Sequence, residues 1–173
     1  PNVTDSTEVG VKIDLDTVFN SVDGLFNLPL FRVKQSSFLV NDDRPEATAV
    51  GFFSIAAGEA ESSGLELDTS IDFDNGVSVW FSYAYTDAEF LNSFADADGF
   101  GFTIDEGDPL INTPEHQLSL QTTKAFNLDS TSLRIGGGLL YVGERNGWVG
   151  ADFDLPSYTT AHLFAEADFS NNV

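Results

Sequence analysis

Hydrophobic residues recur at every second position along most of the chain, with polar residues between them. Successive side chains of a β-strand leave opposite faces, so this period of two predicts strands with one apolar and one polar face. In ELDTSIDFDNGVSVWFSYAY, residues 66–85, the segment Asp74-Asn75-Gly76 predicts a tight hairpin turn, because Asn-Gly accepts positive φ angles. The alternating positions of this stretch are Leu67, Ile71, Phe73, Val77, Val79, Phe81, Tyr83 and Tyr85.

The same period divides the chain into about seven strands and leaves no segment of useful length with a helical period. We therefore predict an all-β protein, an antiparallel up-and-down meander. The expected strands are 8–15, 21–33, 64–73, 77–86, 115–126, 131–145 and 157–169.

The predicted connections alternate between short and long. The short ones are 16–20, 74–76, 127–130 and 170–172, and the long ones are 34–63, 87–114 and 146–156. In a meander, alternate connections lie at opposite ends of the sheet, so every long loop falls on one side. That segregation is typical of outer-membrane β-barrels, whereas the Greek-key connections of a soluble sandwich mix loop lengths.

The two faces of the predicted sheet differ in the same way on every strand. Four tyrosines lie near strand ends that adjoin long loops, as in an aromatic girdle at a membrane surface, although Tyr also favours strands generally. Alternation alone also fits two stacked sheets of a soluble domain. We expect Val79, Phe81, Tyr83, Leu118, Leu120, Ile135 and Leu139 on the apolar face, and Glu66, Asp68, Gln117, Ser119 and Arg134 on the polar face. The four tyrosines are Tyr83, Tyr85, Tyr141 and Tyr158.

Composition removes several classes of function. The 173 residues include 28 acids and 7 bases, a net charge of −21, which argues against nucleic acid as a partner. Cys is absent, which excludes disulfides and thiolate metal sites. Met is absent as well and no signal segment is found, so we expect a mature portion or fragment of a longer protein.

Catalytic and metal-binding patterns are weak. His116 and His162 lie on different predicted strands, and no serine has the flanking glycines of a nucleophile motif, so we predict no catalytic residues and no enzyme. Residues 96–107, DADGFGFTIDEG, begin like a calcium loop, with Asp96 and Asp98 at ligand spacing. The fifth position is Phe100 and the twelfth is Gly107, so we predict a solvated loop and no metal site.

Six segments resemble one family in their order and spacing. They are STEVGVKIDL, ESSGLELDTSIDF, SVWFSYAYTDAEF, NTPEHQLSLQTTKAF, GGGLLYVGER and LPSYTTAHLFAEADF. Together they resemble the C-terminal barrel of TonB-dependent siderophore receptors. The resemblance implies an outer-membrane transporter of a Gram-negative bacterium, which takes up ferric siderophores with energy relayed by TonB. The iron chelate is then a transported ligand, and no cofactor is expected.

The resemblance also implies a domain organisation. Receptors of this kind are 22-stranded barrels with a plugged lumen. We therefore expect residues 1–173 to be a partial barrel, without the plug through which TonB acts, and with outer-membrane lipid as a partner. The alternatives are a secreted or surface soluble β-domain that binds a carbohydrate or protein, and a small self-contained barrel.

Four residues at the end with the predicted long loops are candidate ligand contacts: Arg145 at the outer end of the sixth strand, and Trp148, Phe100 and Phe102 in the loops. Arg145 and Trp148 pair a guanidinium with an indole, which suits an anionic chelate. Phe100 and Phe102 lie in an acidic loop and offer apolar contacts, together with Phe90 and Phe94. Each pair also has a structural explanation: a salt bridge of Arg145 with Glu144 or another carboxylate, and a loop that packs on itself.

Overall fold

The computed structural model describes residues 2–42, 44–49, 54–95, 103–128, 131–148 and 153–169. Its strands are β1 (Val3–Asp14), β2 (Val22–Asn41), β3 (Ser54–Phe73), β4 (Val77–Phe90), β5 (Phe94–Ala95), β6 (Thr103–Ile104), β7 (His116–Leu128), β8 (Thr131–Val142), β9 (Arg145–Asn146), β10 (Asp154–Leu155) and β11 (Tyr158–Phe169). The described helices are the 3-10 turn Leu15–Thr17 and the four-residue α1, Pro45–Thr48. Neither is long and apolar enough to cross a membrane.

The seven long strands form one antiparallel sheet in the order β1-β2-β3-β4-β7-β8-β11. Each long strand pairs with the long strands before and after it in the chain. The predicted meander is therefore confirmed. β1 and β11 form the two edges of this sheet.

Two strands are much longer than the sequence pattern predicted. β2 continues to Asn41 and β3 begins at Ser54, so most of the predicted loop 34–63 is a paired hairpin. The prediction of that loop was wrong, because the ladder continues where the apolar alternation has stopped. A register shift around Ser37, which has a φ of 61°, marks a β-bulge in the extended part. β8 also ends at Val142, three residues before the predicted boundary.

The register confirms the two predicted faces. Tyr83 of β4 lies opposite Leu67 on one side and Leu118 on the other, and Leu118 lies opposite Tyr141. This row belongs to the apolar face, whereas Asp68, Ser82 and Ser119 form a row of the polar face. None of the seven residues predicted on the apolar face is buried, and Ile135 and Leu139 are each nearly half exposed. A stacked soluble sandwich would have covered them.

Aromatic residues border the apolar face at both ends. Tyr83, Tyr85 and Tyr141 lie toward the end with the long connections, where His116 packs beside Tyr85 with ring centroids 5.3 Å apart. Exposed phenylalanines lie toward the other end, at Phe73, Phe126 and Phe169. The assignment of Tyr158 to this girdle was wrong. Tyr158 lies opposite Val142, so its side chain leaves the polar face instead.

The long connections meet at one end of the sheet, as predicted. They follow β2, β4 and β8, whereas a tight turn joins β3 to β4 and only residues 129–130 separate β7 from β8. At the β3–β4 turn, Gly76 has a φ of 81°, and its amide donates to the carbonyl of Phe73 at 2.9 Å. The Asp74-Asn75-Gly76 prediction is confirmed, since this backbone conformation favours glycine.

A hydrophobic cluster lies at the end with the long connections. Phe38, Phe90 and Phe94 pack with centroids 5.4–6.4 Å apart, against buried Ala60 and Ile104. The ring of Phe38 occupies the space above Gly58, where a Cβ would lie 2.1 Å from it. The cluster covers the polar-face side of the extended hairpin and holds the connection after β4 against it.

Candidate functional site

Arg145 is positioned by a small ladder at the end of the sheet. The amide of Gly143 donates to the carbonyl of His116 at 2.8 Å, which directs the chain away from β8. Arg145 and Asn146 then form β9, which pairs with Leu155 and Asp154 of β10. The ladder pairs the described start and end of the connection after β8. Arg145 therefore has a fixed place among the long connections.

The guanidinium of Arg145 contacts two neutral groups. Its Nε donates to Oδ1 of Asn112 at 2.6 Å, and its Cζ lies 5.6 Å from the centroid of the Tyr158 ring. Its Nη1 is shielded from solvent, and no described residue offers it an acceptor. The salt bridge considered as a structural explanation, with Glu144 or another carboxylate, is not formed by any residue that the structure describes.

Asn112 joins the connection after β4 to the connection after β8. Its φ is 57°, in the left-handed region that Asn tolerates better than most residues. Its amide donates to the carbonyl of Asn146 at 2.8 Å, while its side chain accepts from Arg145. Two hydrogen bonds therefore fix Asn112 against β9. The sequence carries no signal for this contact, since 33 residues separate the two side chains.

Trp148 lies beyond β9 and is 42% exposed. Its amide donates to Oδ1 of Asn146 at 2.7 Å. Phe153 is also exposed, and its ring lies against Gly147. In the described part of the chain, the ring stacked on Arg145 is that of Tyr158. Trp148 is left available to solvent.

The other predicted site residues have different outcomes. Phe100 and Phe102, with Asp96 and Asp98 of the calcium-like segment, lie outside the described residues. Phe90 and Phe94 are part of the hydrophobic cluster, as expected of a loop that packs on itself. Among the described residues, no group of three or more His, Asp and Glu side chains is placed to hold a metal ion.

The remaining arginines differ from Arg145 in their partners. Arg32 forms a two-pronged pair with Glu61, at 2.7 and 2.8 Å, and the hydrogen bond holds the pKa of the Glu61 carboxyl below its usual value. Arg44 binds Asp42 at 2.6 Å and lowers the pKa of that carboxyl in the same way. Arg134 is paired with Glu166. Each of these three charges is neutralised by a carboxylate.

The polar face carries a recess of about 240 Å³, lined by Glu66, Asp68, Ser82, Ala84, Gln117 and Ser119. The side chain of Trp80 leaves the same face near it and lines a neighbouring recess with Asp68. Sequence reasoning did not single out Trp80, although its place between Val79 and Phe81 gave its face. The recess is an open part of the polar wall.

Comparisons with known proteins agree on one family. The family described as "TonB dependent receptor-like, beta-barrel" matches residues 1–173. The Metal-pseudopaline receptor CntO of Pseudomonas aeruginosa is 31% identical over 169 residues, which cover 95% of this chain and 21% of that protein. The chain therefore spans about a fifth of the length of that curated relative.

Solved structures with low sequence identity share the fold. The siderophore receptor PiuA from Acinetobacter baumannii matches 98% of this chain and 22% of its own, with a TM-score of 0.71 and 24% identity. BauA, the ferric preacinetobactin receptor from the same species, matches 94% of this chain and 22% of its own, with a TM-score of 0.72 and 18% identity. At these identities the likeness establishes the architecture alone.

Proposed function

Because this chain belongs to the TonB-dependent receptor β-barrel family, we propose that it forms part of the wall of an outer-membrane transporter for ferric siderophores or similar metal chelates. The family is one of Gram-negative outer-membrane receptors and transporters, not of enzymes. The single observation that carries the proposal is the family match over the whole chain. The metal is cargo in this proposal, and no resident cofactor or catalytic reaction is part of it.

The two faces support a place in a membrane. Val79, Phe81, Leu118 and Leu120 lie on an uncovered apolar face, and rows of aromatic residues border that face at both ends, as in transmembrane barrels. In lipid, every backbone donor and acceptor needs a partner, which a closed barrel supplies. The same uncovered face disfavours the soluble β-domain, because water would contact a large apolar surface.

The end with the long connections is then the extracellular mouth. We propose that a ligand first docks there on Arg145 and Trp148, with the segment containing Phe100 and Phe102 beside them. A guanidinium that no described carboxylate neutralises can bind an anionic oxygen, and the exposed Trp148 can bind the flat part of a chelate. Energy for transport would reach the receptor from TonB.

The proposal is tested by iron uptake. The intact receptor that carries this chain is expressed in a Gram-negative strain without its own siderophore receptors, under iron limitation. We expect uptake of radioactive iron from at least one ferric siderophore, and loss of that uptake when tonB is deleted. Normal surface expression without uptake of any ferric chelate would reject the proposed function.

A further inference from the structure

Arg145 differs from the other arginines of the described chain in having no carboxylate partner there. Acids outnumber bases 28 to 7, yet the acceptor of the Arg145 Nε is the neutral amide of Asn112. The other three arginines each bind a carboxylate. We propose that Asn112 is a positioning residue that holds Arg145 in place without neutralising it, so that the mouth selects anionic chelates over neutral ones. This inference rests on the proposed function.

The geometry separates orientation from neutralisation. A hydrogen bond from Nε fixes the plane of the guanidinium, and the Tyr158 ring limits its rotation. A carboxylate at position 112 would fix the plane equally well, since Asp offers the same Oδ1 acceptor. It would also cancel most of the positive charge that an arriving anion meets. The Asn112 oxygen therefore sets the orientation of the Arg145 guanidinium. The neutrality of the Asn112 amide preserves the positive charge of that guanidinium.

The surroundings of the guanidinium strengthen its effect on an anion. Nη1 is shielded from solvent and has no acceptor among the residues that the structure describes. Unpaired charge in a partly desolvated place attracts an opposite charge more strongly than it would in bulk water. The remaining edge of the side chain, which is partly exposed, is where an anionic group of a ligand would approach.

The decisive variant is Asn112→Asp in the intact receptor. It keeps the acceptor and a side chain that tolerates the left-handed φ, but it adds the missing carboxylate. The probes are ferric citrate and a ferric tris-catecholate, which are anionic, and a ferric tris-hydroxamate, which is neutral. We expect about tenfold or greater loss of affinity for the anionic probe that the wild type binds, as after removal of a charge-assisted hydrogen bond. Affinity for the neutral probe should change by less than about twofold.

Two further variants control for folding and for added charge. Asn112→Gly removes the acceptor and keeps the same backbone conformation. We expect about threefold to tenfold loss of affinity for the anionic probe, and no loss of affinity for the neutral probe. Asn146→Asp adds the same charge in the neighbouring residue, whose Oδ1 accepts from the amide of Trp148 and whose side chain leaves the other side of β9. Asn146→Asp should change the affinity for the anionic probe by less than about threefold. Surface expression and heat-modifiable migration on gels verify the fold.

The outcomes are separable. Equal losses for anionic and neutral probes, or equal effects of Asn112→Asp and Asn146→Asp, would show a structural role and overturn the inference. A wild-type receptor that binds only the neutral chelate would also overturn it and leave the proposed function intact. Failure to bind any ferric chelate would instead count against the proposed function itself.

Discussion

Phe90 should hold the connection after β4 against the extended hairpin, and its replacement by Ala tests this. The ring is 9% exposed and packs on Phe94 and Phe38 with centroids 5.4 and 6.4 Å away. Phe→Ala substitutions in protein cores cost about 3–5 kcal/mol. We take the lower end, about 3 kcal/mol, because the cluster is small and borders solvent on one side.

That free energy should appear as local opening and not as global unfolding. The amides of Gly107 and Leu110 donate to the carbonyls of Phe90 and Ala88, both at 2.9 Å, so their hydrogen exchange reports release of the connection. Since each 1.4 kcal/mol is about tenfold in an equilibrium constant, exchange at both amides should accelerate on the order of a hundredfold. The measurement is exchange mass spectrometry on the intact receptor in lipid.

Phe81→Ala is the matched control on the same strand. Phe81 lies on the apolar face, opposite Thr69 and Leu120, and does not belong to the cluster. Its truncation should leave exchange at Gly107 and Leu110 unchanged. Acceleration below about threefold in Phe90→Ala, or equal acceleration in Phe81→Ala, would refute the role assigned to the cluster.

Three further predictions concern the mouth, its acidity and the two faces. Arg145→Ala should weaken binding of an anionic ferric chelate by roughly 1–3 kcal/mol; unchanged affinity at normal surface expression would leave Arg145 a structural role only. Above pH 3.8, the ordinary pKa of Asp42, its pairing with Arg44 should be fully present, and it should be lost as the pH falls through the lowered folded pKa. Exchange of the Arg44 amide along a pH series measures this, and Asp42→Asn should remove the dependence. Because the chain has no Cys, Ser119→Cys should react with a water-soluble maleimide and Leu120→Cys should not; the reverse pattern would invert the faces.

The sequence predicted the meander and the faces because both depend on a period of two. Within the apolar band, lipid on one side and a wet interior on the other impose opposite demands on neighbouring residues, and the pattern is strong. Beyond the apolar band, toward the end with the long connections, the two faces of a strand no longer need opposite polarity. Arg32 and Lys34 of β2 face Ser63 and Glu61 of β3, and no apolar alternation marks the strands that continue there. For that reason the hydrophobic pattern predicts a loop where the structure has a hairpin.

The candidate site was predicted only in part. Arg145 and Trp148 could be placed at a loop from turn signals and strand ends. Asn112 could not, since its contact with Arg145 joins two connections that are distant in the chain. Tyr158 was assigned to the wrong face, although its position relative to Ala161 and Leu163 is out of phase with theirs. The odd or even position of a residue along its strand predicts its face better than the type of residue does.

The small number of buried residues has a consequence for how such a chain can change over evolutionary time. The described buried hydrophobic residues are Val40, Ala60, Ala88, Phe90, Ile104 and Val142, all near the end with the long connections. Elsewhere the sheet is stabilised by its backbone ladders, and in the proposed setting its apolar side chains meet fluid lipid and not a fitted partner. Exchanging one apolar residue for another there leaves no cavity and forces no overlap. Most of the wall can therefore drift in sequence while keeping its architecture, and the strongest selection on packing should fall on the small cluster around Phe90.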